Sequence, residues 1–322
     1  MADITENDKA TEDLTEQEIT ISDPETTYLD LNHSRIGKIS NLEPLTKVEG
    51  ICFRQNLIKK IENLSCVAGT LKELEFYDNI LERIENIEDL VNLESLDISF
   101  NRLRKIENLD TLKKLKKLFL VQNKIEKIEN ISELKDLELL ELGANKIRDL
   151  ENLESLSNLK SLFVGKNKIS RLENLEPLVN LTVLSIQSNR ILKIEGLDTL
   201  VNLEQLYISH NGIKKLENLD NLLKLETLDV AGNFIEKIEN ISHLEKLEEL
   251  WFNDNKVENW KEVEYLASLK NLKTVYMERN PIWRDSEDTN RICPNYRRKM
   301  MLILPKLEQL DASYTRNFQM TH

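Results

Sequence analysis

The sequence predicts an elongated α/β solenoid in which short parallel strands form one concave sheet. Three observations predict it: an asparagine returns every 22 residues, apolar residues alternate before it, and apolar residues follow it at three-residue spacing. A period of two is typical of a strand, and a period of three is typical of a 3₁₀ helix rather than an α-helix. Because one such unit cannot close a core alone, the units must stack into a single domain.

A 22-residue repeat carries the first of these observations. Residues 93–114 read LESLDISFNRLRKIENLDTLKK and fit the pattern LxxLxLxxNxL, which is typical of leucine-rich repeats. Nine asparagines follow one another at intervals of 22 residues: Asn79, Asn101, Asn123, Asn145, Asn167, Asn189, Asn211, Asn233 and Asn255. Asn56 lies 23 residues earlier, Ser34 replaces the asparagine 22 before that, and Asn280 follows 25 after Asn255. The chain therefore contains about twelve units.

Each part of the unit has a predicted place. LxLxx predicts a short concave strand, while Leu103, Ile106, Leu109 and Leu112 predict short 3₁₀ or helical segments on the convex side. We expect the recurring asparagine to hydrogen-bond backbone groups where the chain leaves the strand. Twelve parallel strands at roughly 4.8 Å spacing would give a concave sheet on the order of 55 Å long. Such a surface matches a globular partner in size.

The two ends of the chain depart from the repeat. Residues 1–26 are rich in Asp, Glu and Thr and predict a disordered acidic tail. The solenoid is predicted over residues 27–280, and residues 281–322 predict a C-terminal cap. In the cap, Trp283, Tyr296 and Met300 predict a helix that covers the open core, followed by a last strand. The basic run Arg297, Arg298 and Lys299 is interpreted as the solvated face of that helix.

Composition narrows the classes of function. The chain has 322 residues, 40% hydrophobic content and a net charge of −13, which disfavours general binding to nucleic acid or acidic membranes. The opening MADITENDKA lacks signal-peptide features, so we expect a location in the cytosol or nucleus. Three scattered cysteines predict reduced thiols rather than disulfides or a metal site. We therefore expect no cofactor and no membrane association.

Catalysis is not predicted. The four histidines, His33, His210, His243 and His322, form no cluster with Asp, Ser or Cys that would indicate a triad or metal site. No glycine-rich phosphate loop occurs among only 8 glycines. Most carboxylates fall in KIENL segments on the convex side, where charge keeps a surface soluble.

The residue four positions before each asparagine carries the most information about function. On the predicted strands this residue points away from the core, toward the concave side. Five of the twelve are aromatic, although aromatic residues make up 6% of the chain. We call these residues the concave column: Asp30, Cys52, Glu75, Asp97, Phe119, Glu141, Phe163, Ser185, Tyr207, Asp229, Trp251 and Tyr276.

Two interpretations of the column remain open at this level. Aromatic residues favour strands and pair sideways with neighbours, which requires no partner. Alternatively, large aromatic anchors among charged groups are typical of a protein-binding surface, and Tyr77 and Glu249 would extend it from flanking positions. Asp97 and Glu141 on either side of Phe119 would then orient a basic partner.

The sequence also resembles a known family. The 22-residue LxxLxLxxNxIxxIENL unit, the openings DLNHSRIGKI and FRQNLIKKIENL, and the cap NPIW…YRRKMMLILPKLEQLD are similar to the leucine-rich regulatory subunits of protein phosphatase 1, the Sds22-type family. The resemblance covers residues 28–316. It implies that acidic and aromatic residues of the concave strands contact the phosphatase, at the following positions: Asp97, Phe119, Glu141, Phe163, Glu249, Trp251 and Tyr276.

The resemblance implies a non-catalytic subunit that binds the phosphatase catalytic subunit and controls its maturation, localisation or activity, with a role in mitosis. It also implies a nuclear and cytoplasmic location and a ternary complex with a small inhibitor subunit. From the residues themselves we add four contact positions: Glu75, Tyr77, Tyr207 and Asp229. An alternative hypothesis is a scaffold for an RNA-associated nuclear protein, since leucine-rich repeats occur in many unrelated binders.

Overall fold

The computed structural model describes residues 17–315, and within this range fourteen strands form one sheet in chain order. The first twelve pair parallel, and each contains three residues. They are β1 (Tyr28–Asp30), β2 (Gly50–Cys52), β3 (Glu73–Glu75), β4 (Ser95–Asp97), β5 (Lys117–Phe119), β6 (Leu139–Glu141), β7 (Ser161–Phe163), β8 (Val183–Ser185), β9 (Gln205–Tyr207), β10 (Thr227–Asp229), β11 (Glu249–Trp251) and β12 (Thr274–Tyr276). The predicted α/β solenoid with a parallel sheet is confirmed.

The core is a stack of apolar rows. Leu118 and Leu140 pair across β5 and β6, and both side chains are fully buried. The residues on either side of each central leucine face the opposite way, because side chains alternate along a strand. Each three-residue strand therefore turns its central residue inward and its first and last residues toward the concave surface.

On the convex side, buried apolar residues recur every three positions, but most of these segments are turns rather than continuous helices. The amide N–H of Leu112 donates to the carbonyl of Leu109 at 3.0 Å, and that of Leu115 donates to Leu112 at 3.0 Å. These isolated i→i+3 bonds keep the 3₁₀ spacing without forming a 3₁₀ run. Longer segments occur in the 23-residue repeat, as a 3₁₀ turn at Ser65–Val67, and in the 25-residue repeat, as α1 (Trp260–Glu264) followed by a 3₁₀ turn at Tyr265–Ser268. The extra residues of these two repeats are thus absorbed on the convex side.

The recurring asparagine joins consecutive repeats, as predicted. Asn145 Oδ1 accepts from the Ile125 N–H at 3.0 Å, and its Nδ2 donates to the Leu120 carbonyl of the preceding repeat at 2.9 Å. Nδ2 also lies within hydrogen-bond distance of two carbonyls of its own turn. One buried amide therefore satisfies backbone groups that would otherwise be unpaired. Where Ser34 replaces the asparagine, Asn56 Oδ1 still accepts from the Ser34 N–H at 3.1 Å.

A second asparagine ladder runs along the convex side, and the sequence analysis missed it. Asn130, in the segment KIENI, has a φ of 57° and donates from Nδ2 to the Ile106 carbonyl at 2.7 Å. Asparagine tolerates this left-handed backbone better than most residues. Equivalent bonds and positive φ angles are found at Asn41, Asn63, Asn86, Asn108, Asn152, Asn174, Asn218 and Asn240. Gly196 occupies the same place with a φ of 67°. The KIENL segments are thus structural as well as solvating.

The predicted tail boundary at residue 26 differs from the structure. Residues 17–26 pack against the first repeat: Ile19 is 3% exposed, and its carbonyl accepts from Asn41 Nδ2 at 3.1 Å. The amide of Thr46 also donates to the Pro24 carbonyl at 3.4 Å. The buried Ile19 and the partly buried Ile21 pack against the end of the core, which composition does not reveal. Residues 1–16 of the predicted tail lie outside the described residues.

The C-terminal cap contains the predicted helix and strand. Helix α2 (Tyr296–Ile303) buries Tyr296 and Met300 against the last repeat, whereas Leu302 is exposed to solvent. Strand β13 (Gln309–Leu310) pairs parallel to β12, and β14 (Ser313–Tyr314) pairs antiparallel to β13. This hairpin covers the last edge of the parallel array. Within residues 17–315, no helix is long and apolar enough to cross a membrane.

Candidate partner-binding face

The concave column is one continuous row in the structure. Each of its twelve residues is the last residue of a strand, and neighbouring members are paired in register from β1 to β12. The stretch from Glu75 to Tyr276 crosses nine strand intervals, which is roughly 43 Å along the sheet at about 4.8 Å per interval. Sequence spacing alone therefore located the residues that share this face.

The middle of the column alternates acidic and aromatic residues. Asp97, Phe119, Glu141 and Phe163 follow one another on β4 to β7, and all four are half-buried. Partial burial leaves part of each aromatic residue accessible to a partner, as an anchor requires. Asp97 Oδ1 also accepts from the Ser99 N–H at 2.8 Å, so this carboxylate supports the turn after its strand.

Glu141 is held in an environment that disfavours its charge. Burial raises the pKa of its carboxyl group above the ordinary value, and the negative charge of Asp97, two strands away, raises it further. Because no basic group neutralises Glu141 among the described ion pairs, a cation from a partner would relieve both effects. The middle of the column is thus suited to a surface that presents Lys or Arg.

The end of the column near the cap is an aromatic pair with a polar border. The rings of Trp251 and Tyr276 lie 5.1 Å apart between centroids and are tilted by 45°. Trp251 is 37% exposed, and Glu249 lies on the same face of β11 and is also exposed. Gln309 of β13 donates from Nε2 to the Tyr276 hydroxyl at 2.6 Å. The cap therefore positions this end of the face, a contribution that repeat periodicity does not indicate because Gln309 lies outside the repeats.

Tyr207 and Asp229 lie between the middle of the column and its end near the cap, but they differ in exposure to solvent. Tyr207 is half-buried, and its hydroxyl donates to Gln205 Oε1 at 3.2 Å. Asp229 is only 7% exposed; its carboxylate accepts from the Ser209 hydroxyl at 2.6 Å and from the Ala231 N–H at 3.0 Å. Burial nonetheless raises the pKa of Asp229 above its usual range. The oxygens of Asp229 thus serve the loop between repeats, and its role as a partner contact stays a prediction.

The opposite end of the face contains a stacked group. Tyr77 lies between the Arg54 guanidinium, 4.4 Å from its ring centroid, and the Phe100 ring, 4.7 Å between centroids. Arg54 also pairs with Glu75 at 3.5 Å. Phe100 is exposed and has a φ of 55°, an unusual conformation for a bulky residue. Glu75 and Tyr77 are thus on the predicted face, but neighbours within the chain already occupy part of their surfaces.

The described residues offer no sign of metal-dependent chemistry. Within residues 17–315, no group of three or more His, Cys, Asp or Glu side chains could hold a metal ion. Cys52 of the column is buried, Cys66 is exposed and Cys293 is half-buried, and all three are free thiols. Burial raises the pKa of the Cys52 thiol above its ordinary value.

Comparison with known proteins agrees with the architecture. The family model for leucine-rich repeats in two copies matches residues 201–246. The structure is similar to an internalin of Listeria monocytogenes, with a TM-score of 0.74, 24% identity, and coverage of 90% of this chain and 87% of that one. A leucine-rich-repeat protein of Leptospira interrogans matches with a TM-score of 0.67, 22% identity, and coverage of 83% and 73%. The protein is a leucine-rich-repeat solenoid. Because both identities are below 25%, the two structures support a shared fold and nothing about function.

Parts of the sequence are similar to regulatory subunits of protein phosphatase 1. The chain is 57% identical over 53 residues to protein phosphatase 1 regulatory subunit 7 of Xenopus tropicalis, which is 16% of this chain and 15% of that protein. It is 43% identical over 67 residues to protein phosphatase 1 regulatory subunit SDS22 of Schizosaccharomyces pombe, 20% and 19% of the two chains. The matched segments thus span less than one fifth of these relatives. The chain resembles the Sds22-type family.

Proposed function

We propose that this leucine-rich-repeat protein is a non-catalytic regulatory subunit that binds the catalytic subunit of protein phosphatase 1 through its concave face. The unbroken register that places Phe119, Phe163 and Trp251 on one face carries the proposal, because it concentrates anchors where a globular partner can reach them. The names of the similar proteins support the choice of partner.

The aromatic and the acidic residues of the face would contribute to binding in different ways. Aromatic side chains bury large apolar areas at low entropy cost and supply most of the binding energy, about 2 kcal/mol or more for each central anchor. Asp97, Glu141 and Glu249 border those anchors and select a partner surface with apolar pockets flanked by Lys or Arg. A partly buried carboxylate such as Glu141 becomes more favourable once a cation reaches it.

The resemblance to the Sds22-type family also suggests a cellular role for the protein. In this role the protein controls the maturation, localisation or activity of the phosphatase in nucleus and cytoplasm, including during chromosome segregation in mitosis. A small phosphatase inhibitor subunit would join in a ternary complex. Because the concave face is occupied by the catalytic subunit, the inhibitor subunit would contact the catalytic subunit or another surface of the solenoid.

The test is direct binding of the purified catalytic subunit to the full chain and to a Phe119→Ala, Trp251→Ala double variant. We expect the double variant to bind at least about a hundredfold more weakly, since two anchors are lost. A matched control replaces two exposed apolar residues outside the column, Leu223→Ala and Tyr265→Ala, and should bind normally. Circular dichroism establishes that both variants fold.

Two outcomes would contradict the proposal in different ways. Undiminished binding by the folded double variant would exclude the concave column as the contact surface. Failure of the unaltered chain to bind the catalytic subunit would exclude the phosphatase as partner, and recovery of RNA-associated proteins would then favour the scaffold hypothesis.

A further inference from the structure

A cleft of about 620 Å³ lies where the last repeat meets the cap, away from the concave column. Its lining includes Lys256 after β11, Trp260 at the start of α1, Arg284 after the 3₁₀ turn at Pro281–Trp283, and Lys299 of α2. We call this the basic cleft. It lies within the size range of sites that hold small ligands or short peptide segments.

The cations of the basic cleft lack carboxylate partners. Among residues 17–315, no Asp or Glu oxygen lies within 4.0 Å of the charged nitrogens of Lys256, Arg284 or Lys299. Arg279, which also lines the cleft, is different: its Nε and Nη2 pair with Asp254 at 2.5 and 2.7 Å. Three positive charges therefore remain without a close partner on a chain whose net charge is −13.

Aromatic rings hold these cations in place without neutralising them. Lys299 Nζ lies 4.9 Å from the Trp260 ring centroid, and the Arg284 guanidinium lies 4.7 Å from that of Trp283. A ring attracts a cation through its quadrupole but carries no net charge. The positive field therefore stays available to a ligand, and a planar indole provides an apolar wall beside it.

Two carboxylates also line the cleft and must be included in the charge balance. Glu258 and Asp285 oppose the three unpaired cations, while Arg279 is paired with both Asp254 and Glu278, neither of which lines the cleft. Asp285 is partly engaged because its Oδ1 accepts from the Glu287 N–H at 2.9 Å. The residues that line the cleft include four cations and two carboxylates, and this excess of cations in the lining favours an anionic group over a neutral one.

An exposed apolar strip leads from the neighbouring repeats to the cleft. Phe234 occupies the repeat position equivalent to Lys256, one unit earlier, and its ring lies 6.0 Å from Lys256 Nζ. One unit before Phe234 the equivalent residue is Gly212, and Leu192 lies across it, since a Cβ on Gly212 would come within 2.5 Å of Leu192 Cδ2. Leu192 and Phe234 are both exposed. A segment lying along this edge would meet apolar side chains first and cations next.

We propose that the basic cleft and the adjoining strip formed by Leu192 and Phe234 bind a short acidic peptide segment of a second protein. An apolar residue of the segment lies on Phe234, and a carboxylate or phosphorylated side chain enters among Lys256, Arg284 and Lys299. Nucleic acid is disfavoured because a run of phosphates would extend from three cations onto an acidic surface. No residue of the concave column lines the cleft, so under this proposal the solenoid holds two partners at once.

The experiment selects binders from a random peptide library displayed on phage, using the full chain as bait. We expect enriched sequences to contain Asp or Glu next to an apolar residue, well above their frequency in the unselected library. The Lys256→Gln, Arg284→Gln, Lys299→Gln variant should fail to retain them. A matched variant that removes three convex cations, Lys193→Gln, Lys215→Gln and Lys237→Gln, should retain them.

The best enriched peptide is then synthesised with a fluorescent label, with and without phosphoserine in place of its acidic residue. Fluorescence anisotropy should show about tenfold or weaker binding to the cleft variant, and weakening with added NaCl, because exposed charges are screened by salt. The two forms of the peptide distinguish carboxylate from phosphate as the preferred anion. A short oligothymidine serves as the nucleic-acid comparison.

Three results would overturn the inference: no enrichment of acidic sequences, equal binding of the selected peptide by the cleft variant and the convex variant, or tighter binding of oligothymidine than of either peptide. Binding of the phosphatase catalytic subunit should be unchanged in the cleft variant, because no residue of the concave column is altered. The two proposals can therefore fail separately.

Discussion

The inner rows and the concave column occupy the same strands but follow opposite rules. In the inner rows, Leu118 and Leu140 are fully buried, and Asn123 and Asn145 repeat one hydrogen-bond pattern from unit to unit. In the column, Phe119 is followed by Glu141 at the structurally equivalent position. If the column binds a partner as proposed, the solenoid separates stability from recognition on the two faces of each strand. Substitutions on one face should affect one property with little effect on the other.

The largest expected effect is on the inner rows. Leu140→Ala should lower the free energy of unfolding by about 2–5 kcal/mol, because it leaves a cavity among rigidly stacked repeats. Urea denaturation followed by circular dichroism measures this change. Phe119→Ala, on the adjacent strand but facing outward, is the matched comparison and should cost far less. Equal losses for the two variants would contradict the separation of faces.

The column should show the reverse pattern. Trp251→Ala should weaken binding of the phosphatase catalytic subunit by about 2 kcal/mol, or roughly thirtyfold, because the ring is partly exposed and paired with Tyr276. Titration calorimetry measures the affinity, and urea denaturation of the same sample measures stability. Gln309→Ala tests whether the cap positions Tyr276; its effect on affinity should be in the same direction but smaller. If Trp251→Ala lowered the stability of the protein but not its affinity for the catalytic subunit, Trp251 would contribute to folding rather than to binding.

Removing one asparagine from the convex ladder should lower the stability of the protein by a smaller amount. Asn130→Ala removes the hydrogen bond to the Ile106 carbonyl and places alanine at a φ of 57°, so it should cost about 1–2 kcal/mol of stability. Asn130→Gly loses the same bond but tolerates the backbone, as Gly196 does in its own repeat, and should cost less. Thermal denaturation of the two variants separates these contributions. A glycine variant as unstable as the alanine variant would assign the whole effect to the hydrogen bond.

The smallest expected effect depends on pH. The raised pKa of Glu141 means that the folded state retains its proton to higher pH than the unfolded state, so stability falls as pH rises from the ordinary carboxyl range through the raised value. Glu141→Gln should therefore be slightly more stable than the unaltered chain at pH 7, by about 0.5 kcal/mol, with the difference shrinking toward pH 4. Denaturation at both pH values measures it. A difference that is the same at both would mean that ionisation of Glu141 is not its cause.

Much of the fold could be predicted because the repeat is a local signal. Spacing placed every member of the concave column on its strand end, and the role predicted for Asn145 is the one observed. The second ladder at Asn130 is equally periodic, but the sequence-based predictions concern the carboxylates of the KIENL segments and assign no role to their asparagines. The residues around 17–26 could not be placed, because a single buried side chain, Ile19, has no period.

Periodicity alone was sufficient to establish the solenoid, the inner rows and the set of residues that share the concave side. These features follow from the alternation of side chains along a strand and from the need of each repeat to bury its apolar face against the next. Packing between distant segments established the rest: Asp229 is enclosed by its neighbours, Gln309 supports Tyr276 from the cap, and Lys256 and Lys299 meet at one cleft. Such features depend on contacts between residues whose separation matches no repeat, so no pattern along the chain indicates them.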